Sequence, residues 1–404
     1  MSLLGKTDRL DRPAWLLLII NGLFAVSTAM SNTFVNVYLW KLKQDFIVIG
    51  RFNLASYLAM AITFVLAGRL AKQLDRVIAI RIGVALQALF YLAVLFFGPR
   101  SAELVIPLGF FMGIGSGFFW LSYHVLYFEI TERDNRDIYN GINGLFTSLA
   151  GIVAPLFSGW VITVVDHFTG YRIIFAISLA VFLLAVIISF MLKQRSARGA
   201  YRLREILRLT QRRDNHWYWV NLAMIAQGTR EGLFAFLISL LIFVSTGDEL
   251  ALGGYLTASS VVSLLAYVAV GRVMQLKWRD ESILLGAAMS GIVVLPVLWD
   301  VNTWTLVILG VGASLFYPVY MVPLTSAVFD VIGENQDTAR LRVEYVVARE
   351  LALNVGRVLS VLVFLWWIRE MPDPAQLKWL VLPVGFVQLI AWLSIRQVPI
   401  LEQE

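Results

Sequence analysis

The 404-residue chain has no cysteine and only three histidines, His124, His167 and His216. The first absence excludes a disulfide framework, thiol chemistry and thiolate metal sites. The histidines lie too far apart in sequence to suggest a metal centre. Charge is also scarce: Asp, Glu, Lys and Arg make up 15% of residues, against about 25% in a soluble domain. No HExxH, Gly-x-Ser-x-Gly or Walker sequence occurs, so neither a hydrolase triad nor an ATPase is expected. Gly113-Ile114-Gly115-Ser116-Gly117 follows no strand and precedes no Lys-Ser/Thr pair. It reads as helix packing rather than a nucleotide loop. The sequence predicts no enzyme and no cofactor.

What the chain has in excess is apolar length. Hydrophobic residues reach 59%, where soluble domains hold about 45–50%. A bilayer core about 30 Å thick takes about 20 apolar residues as helix. That measure gives twelve spans, at 14–38, 47–70, 78–98, 103–128, 139–165, 171–192, 216–245, 252–275, 282–299, 303–329, 342–368 and 378–397. The runs are continuous rather than alternating, which excludes a transmembrane barrel. The expected fold is an all-α integral membrane protein. The N-terminal segment MSLLGKTDRLDRPAW precedes no small-residue cleavage site, so the first span is expected to be retained.

Charge is distributed by topology. The segment Lys193–Asp214 carries eight Lys and Arg against two acids. Excess Lys and Arg beside spans marks the cytoplasmic side. With the N-terminus inside, 23 of the 33 basic residues fall on cytoplasmic segments and seven outside; Arg230, Arg349 and Arg357 lie within spans. Both termini are expected in the cytoplasm of a cell with the chain in its plasma membrane. The net charge of +6 then reflects loop placement and implies no nucleic-acid partner. Within the basic segment Leu203, Ile206, Leu207 and Thr210 share a helical face. An amphipathic helix on the bilayer surface and a solvated linker both fit this pattern.

The two halves echo each other. Span two ends in Gly68-Arg69-Leu70 and span eight in Gly271-Arg272-Val273, 203 residues later. Span four carries GIGSGFFW from Gly113 and span ten GVGASLFY, ending at Tyr317; each leads on to an acid, in Phe128-Glu129 and Phe329-Asp330. Echoes in matching spans predict a duplicated six-helix unit. The bundles are expected at residues 1–192 and 216–404, joined by a linker at 193–215.

With this layout the chain resembles the major facilitator superfamily over essentially its whole length. The family's loop signature between spans two and three is Gly-x-x-x-Asp-Arg-x-Gly-Arg-Arg. Gly68 matches it, Lys72 stands where the acid is expected, and Asp75 and Arg76 follow. The antiporter signature of span five ends in Gly-Pro-x-x-Gly-Gly; here Ala154-Pro155-Leu156-Phe157-Ser158-Gly159 occupies that spacing, after Gly141. The resemblance implies two pseudo-symmetric bundles, alternating access, a small-molecule substrate, proton coupling, export and a monomer. It makes Gly68, Arg69, Asp75, Arg76, Gly271, Arg272, Pro155 and Gly159 the conformational motifs. A tightly packed span with a proline bend is the plainer reading of Pro155 and Gly159.

Ionisable residues deep in a span carry a functional hypothesis. Span seven contains Gln227, Arg230 and Glu231; span eleven carries Glu350, Asn354 and Arg357 on one face. Desolvation at mid-membrane favours the protonated carboxyl, so Glu231 is the expected proton-coupling residue, followed by Glu350. Arg230 and Arg357 are expected to bind a substrate anion or to gate Glu231. A structural ion-pair network is the alternative. Relatives line their cavity with spans one and four as well. That adds Asn21, Asn32 and Asn36 on span one, Tyr123, Tyr127 and His124 on span four, and Tyr317 on span ten. The aromatic stripe could equally be packing, and His124 a hydrogen-bonded structural residue. The expected cargo is a small amphipathic or anionic compound. A lipid or lipid-linked glycan headgroup is the alternative. A sensor or scaffold without transport is disfavoured, because the short connections leave no room for a signalling domain. A reporter fused after Arg213 should read as cytoplasmic and one near Asp248 as external. The same side for both would refute the twelve-span count.

Overall fold

The computed structural model describes residues 10–398 apart from 74, 132–135, 166, 194–198, 334–337, 339 and 372. The first six spans are α1 (Arg12–Lys43), α2 (Phe46–Gln73), α3 (Arg76–Phe97), α4 (Val105–Ile130), α5 (Arg136–Val164) and α6 (His167–Ser189). A short α7 (Leu203–Leu209) follows. The second half holds α8 (His216–Thr246), α9 (Glu249–Val273), α10 (Arg279–Ile292), α11 (Pro296–Trp299), α12 (Thr303–Ile332), α13 (Arg342–Glu370), α14 (Leu377–Phe386) and α15 (Gln388–Ile395). Twelve stretches are long and apolar enough to cross a membrane, and no strand occurs among the described residues. The protein is an all-α membrane protein of two six-helix bundles. An even number of crossings puts the start of α1 and the end of α15 on one face, here the termini face.

Helix ends follow local chemistry. Asp11 caps α1 through Ala14 N, Pro13 follows it, and Gln44 closes the helix in the left-handed region at φ 50°. Asn215 and Asp248 cap α8 and α9, and Gly247 at φ 66° takes the turn between them. Two spans are broken. Pro296 starts α11 after a turn in which Val294 and Leu295 bond back to Gly291 and Ile292, so little backbone polarity is left to lipid. The last span divides at Val387, where α14 ends and α15 begins.

The repeat is visible in contacts. A Cβ on Gly83 would meet the Phe119 backbone, and one on Gly286, 203 residues later, the Tyr320 backbone. Arg76 pairs with Glu129 at 2.7 Å; Arg279, again 203 later, pairs with Asp330 at 2.6 Å. The acids echoed in the sequence therefore bind within their own halves rather than across. What crosses is the residue before each acid: Phe128 and Phe329 meet edge to face at 5.5 Å. The sequence also places Glu132, Asp134, Asp137, Glu334 and Asp337 at these span ends, where they are expected as solvated ends or inter-half pairs; of these, Glu132, Asp134, Glu334 and Asp337 lie outside the described residues.

The two seams between the halves differ. Along α2 and α13 the contact is continuous. Gly50 sits against Leu365 and Phe364 near the far face, and Gly68 against Val347 and Tyr201 near the termini face. Along α5 and α9 the far half is tight: Gly159 meets the Glu249 carbonyl, Gly253 meets Pro155, and Thr257 donates to Ile152 O at 2.7 Å. Toward the termini face Gly141, Gly144 and Gly271 would meet nothing within 4 Å. Gly68 and Gly271, echoed in sequence and both in the last turns of their helices, thus have opposite surroundings. Across the far face Lys41 reaches Glu249 at 2.6 Å, and Tyr171 donates to the same carboxylate at 3.1 Å.

The linker packs on protein. Leu203 and Ile206 are buried in a core cluster that joins α2 and α4 to the second half, while Leu207 is exposed. Tyr201 donates to Val65 O on α2, and Arg202 N donates to Glu344 on α13. Burial and the nearby Glu344 push the Tyr201 phenol well above its usual value. The helix forms as the amphipathic reading expects and its Arg204, Glu205 and Arg208 are exposed, but the face shared by Leu203 and Ile206 covers neighbouring helices.

Lys72, in place of the family's acid, binds Glu344 at 2.8 Å. The carboxylate side chain is fully buried, and removing one partner from a buried pair costs about 3–5 kcal/mol. The cysteine-free chain allows a clean readout. A single Val347→Cys, fully buried here, should resist a membrane-impermeant maleimide and become reactive when Lys72→Met is added. In a second experiment Gly356→Ala, whose Cβ would strike the Ile225 and Thr229 backbone, should destabilise by about 1–3 kcal/mol. Gly254→Ala has open space and should leave the unfolding midpoint unchanged.

Candidate functional site

The centre of the molecule is set by how closely α8 and α13 approach. Gly228 and Gly232 on α8 face the Leu353 and Arg357 backbone, and Gly356 on α13 faces the backbone of Ile225, Gly228 and Thr229. Small residues four apart let helices touch main chain to main chain. The contact sets Glu231 beside Arg357, with Arg357 Nη2 at 2.7 Å and Nε at 3.2 Å from Oε2.

Around this pair runs a polar chain. Glu231 Oε1 accepts from Gln227 Nε2 at 2.8 Å and from the Tyr317 hydroxyl at 3.3 Å. Gln388 Nε2 donates to Gln227 Oε1 at 3.0 Å, and Arg230 Nη1 donates to Gln388 Oε1 at 2.6 Å. On the other side Arg357 Nη1 donates to Asn354 Oδ1 at 3.3 Å, Asn354 Nδ2 donates to the Glu350 carbonyl, and Arg349 donates to the Glu350 carboxylate at 3.0 Å. Gln227, Gln388 and Asn354 are fully buried. Such amides cost free energy unless they are bonded, and here each has a partner.

The chain borders a cavity of about 500 Å³ between the halves. Of the residues expected to bind substrate or protons, Asn32, Asn36, Gln227, Arg230, Glu231, Tyr317 and Arg357 line it. The others do not. Glu350 and Asn354 sit behind Arg357. Asn21 is bonded to Asn143 of α5 at 2.7 Å. Span four divides along its length: Ser116 and Trp120 reach the cavity, but past them the helix is covered by neighbours. Tyr123 stacks on Phe119, Tyr127 packs on Tyr139 of α5, and His124 lies against the Trp120 ring. These three are packing residues in this arrangement.

Several lining residues escaped the sequence reading. Asn53, which donates to Asn36 Oδ1 at 2.9 Å, and Tyr57, which donates to Gly232 O across the halves at 3.4 Å, come from α2. Asn53, Ser56, Tyr57 and Met60 recur at helical spacing on one face, a signal that was available. Gln388, buried behind the cavity wall, had a weaker signal, a lone amide in an apolar span. Among the described residues no three His, Asp or Glu side chains converge on a metal position.

The motif residues divide. Gly68 and Gly159 lie at close helix contacts, and Pro155 meets Gly253. Asp75 caps α3 through Val77 N. Arg76 pairs within its half. Arg69 bonds Gln73 one turn on and is exposed, as is Arg272.

Comparison with known proteins places this geometry. The chain is 42% identical over 365 residues to the uncharacterized protein YqgE of Bacillus subtilis, covering 90% of this chain and 84% of that one. It is 43% identical over 168 residues to an uncharacterized protein in the sodM 3' region of Geobacillus stearothermophilus, covering 42% of this chain and 78% of that one. Its fold matches a crystal structure of the E. coli fucose:proton symporter FucP with a TM-score of 0.65 at 16% identity, covering 96% and 98% of the two chains. Residues 16–339 match the Major Facilitator Superfamily as a whole, and the chain belongs to that family of membrane transporters.

Proposed function

We propose that the protein is a proton-coupled exporter of a small amphipathic or anionic compound, working by alternating access with both termini in the cytoplasm of the plasma membrane. The observation that carries this reading is the Glu231–Arg357 pair on the cavity wall. A carboxylate held by one guanidinium in a low-dielectric cavity is bistable: protonation discharges it and frees the arginine. Arg357 also touches the other half, with Nη1 at 4.0 Å from Met60 Sδ and its guanidinium 5.9 Å from the Tyr57 ring. Freed from Glu231 it turns toward Glu350, already 4.0 Å away, and its hold on α2 changes. A proton on Glu231 is in this way linked to the seam between the halves.

Supporting observations are independent of one another. FucP, which shares the fold, is a proton symporter by name. The basic bias toward the termini face supports the sidedness. The wider α5–α9 seam on that face supports access from the cytoplasm. Export rests on the Pro155–Gly159 motif, which forms the tight part of the same seam. A second reading, translocation of a lipid or lipid-linked headgroup, is favoured by one feature. An apolar groove of about 690 Å³ between α1, α5 and α6, lined by residues such as Leu23, Val26, Leu149 and Phe157, adjoins the α5 seam.

The test is a metabolite screen with purified protein in liposomes under an imposed proton gradient. For a substrate found there, Glu231→Gln should reduce gradient-driven accumulation to the level of empty liposomes while substrate exchange at equal concentrations persists. Uphill transport by Glu231→Gln at the wild-type rate would make Glu231 structural and pass the role to Glu350.

A further inference from the structure

Arg230 stands apart from the other buried charges of the second half. At the centre of α8 and α13 lie three guanidiniums, Arg230, Arg349 and Arg357, and two carboxylates, Glu231 and Glu350. Arg357 takes Glu231, and Arg349 takes Glu350. Among the described residues no carboxylate lies within 4.0 Å of Arg230. The residue is buried at 4% exposure, its Nη1 donates to the neutral Gln388, and its Nε has no hydrogen-bond partner among the described residues. The guanidinium lies 4.9 Å from the Phe234 ring centroid, an attraction weaker than a full counter-charge. Yet Arg230 lines the cavity.

A buried cation without a counterion is unfavourable, and the cost is relieved by any anion that enters. Arg357 cannot serve this purpose, because its donors are already committed to Glu231 and Asn354. The facing wall is neutral and rich in hydrogen-bonding groups: Asn32, Asn36, Asn53, Ser56 and Ser116. Asn36 and Asn53 are bonded to each other, whereas Asn32 has no side-chain bond among the described residues.

We propose that Arg230 is the seat of the substrate's negative charge. The substrate class is a small organic monoanion, best matched by a monocarboxylate, whose uncharged end carries hydroxyl or amide groups that bond Asn32 and its neighbours. One excess guanidinium matches one negative charge. Such a molecule bridges α8 of the second half and α1 of the first. This deepens the transport reading above and rests on it.

The test is thermal unfolding of the purified protein in detergent with matched probes at about 10 mM, ten times a millimolar Kd. The probes are gluconate, hexanoate, the dianion glucarate and neutral sorbitol. Gluconate should raise the midpoint most, hexanoate less, and sorbitol not at all. Arg230→Gln should weaken the apparent affinity for gluconate about tenfold or more, the scale of a lost charged hydrogen bond. Arg230→Lys, which keeps the charge, should retain a shift and guards against a folding defect in the first variant. Equal stabilisation by sorbitol, a stronger effect of glucarate, an undiminished gluconate shift in Arg230→Gln, or no shift with any acid would each overturn the assignment. The outcome is separable from proton coupling. Loss of the anion effect together with uncoupling in Glu231→Gln sinks only the anion seat; its presence together with uphill transport by Glu231→Gln sinks only the coupling role.

Discussion

Everything at the centre of the molecule depends on two helices touching without side chains between them. Lipid tails are as apolar as leucine, so helices in a bilayer gain little by burying apolar surface against each other. They are held by close packing and by polar bonds that lipid cannot offer. Gly228, Gly232 and Gly356 provide the first, and the Glu231–Arg357 pair with its amide neighbours provides the second. Each needs the other. A larger residue at Gly356 would separate the helices and draw carboxylate from guanidinium, leaving both charged in a medium that penalises them. Gly232 also has its carbonyl bonded by Tyr57 of the opposite bundle, so the same contact reaches the seam between the halves.

What the sequence made legible was what depends on length and composition. Twelve spans follow from apolar runs, because the bilayer sets one length for all of them. The repeat follows from Gly68 and Gly271, and from Phe128-Glu129 and Phe329-Asp330. Within the site, Glu231 and Arg357 were legible because an ionisable group in a span needs a partner, and few were on offer. What stayed hidden depends on which face of a helix meets which neighbour. Tyr123 and Tyr127 share a face with Ser116 and Trp120, but α5 covers only the later part of it. Periodicity orders residues around a helix axis; it does not say where along the axis a neighbour begins. Lys72 was visible only as a departure from a family motif, since its partner Glu344 lies 272 residues away. The linker misled because an apolar face looks the same whether it meets lipid or protein.

The repeat is symmetric in sequence and in its internal contacts, but not in how the halves meet. Gly83 against Phe119 and Gly286 against Tyr320 are one contact made twice. So are Arg76–Glu129 and Arg279–Asp330. Between the bundles the duplication fails: α2 is packed on α13 along its length, while α9 leaves α5 toward the termini face. Two units that repeat their internal contacts need not meet symmetrically. When they do not, exchanging the roles of the two units generates a second arrangement of similar energy. In the proposed alternating-access cycle that second arrangement would be the other state; the Lys41–Glu249 and Lys72–Glu344 pairs both join the halves in this one.

The charges then assign different work to residues that looked equivalent in the sequence. Arg230 and Arg357 are both guanidiniums on the cavity wall, and the sequence offered either for substrate or for gating. Their surroundings separate them. Arg357 is saturated by Glu231 and Asn354 and leans on α2, so a change in its partner is felt at the seam. Among the described residues Arg230 is bonded to one neutral amide and to no part of the other bundle, and no carboxylate lies within 4.0 Å of it. An ion that arrives and leaves is the balance such a residue lacks, whereas a proton that comes and goes is what a matched pair can register. On the proposed reading, recognition and coupling are divided by a single feature, whether the cation already has its acid.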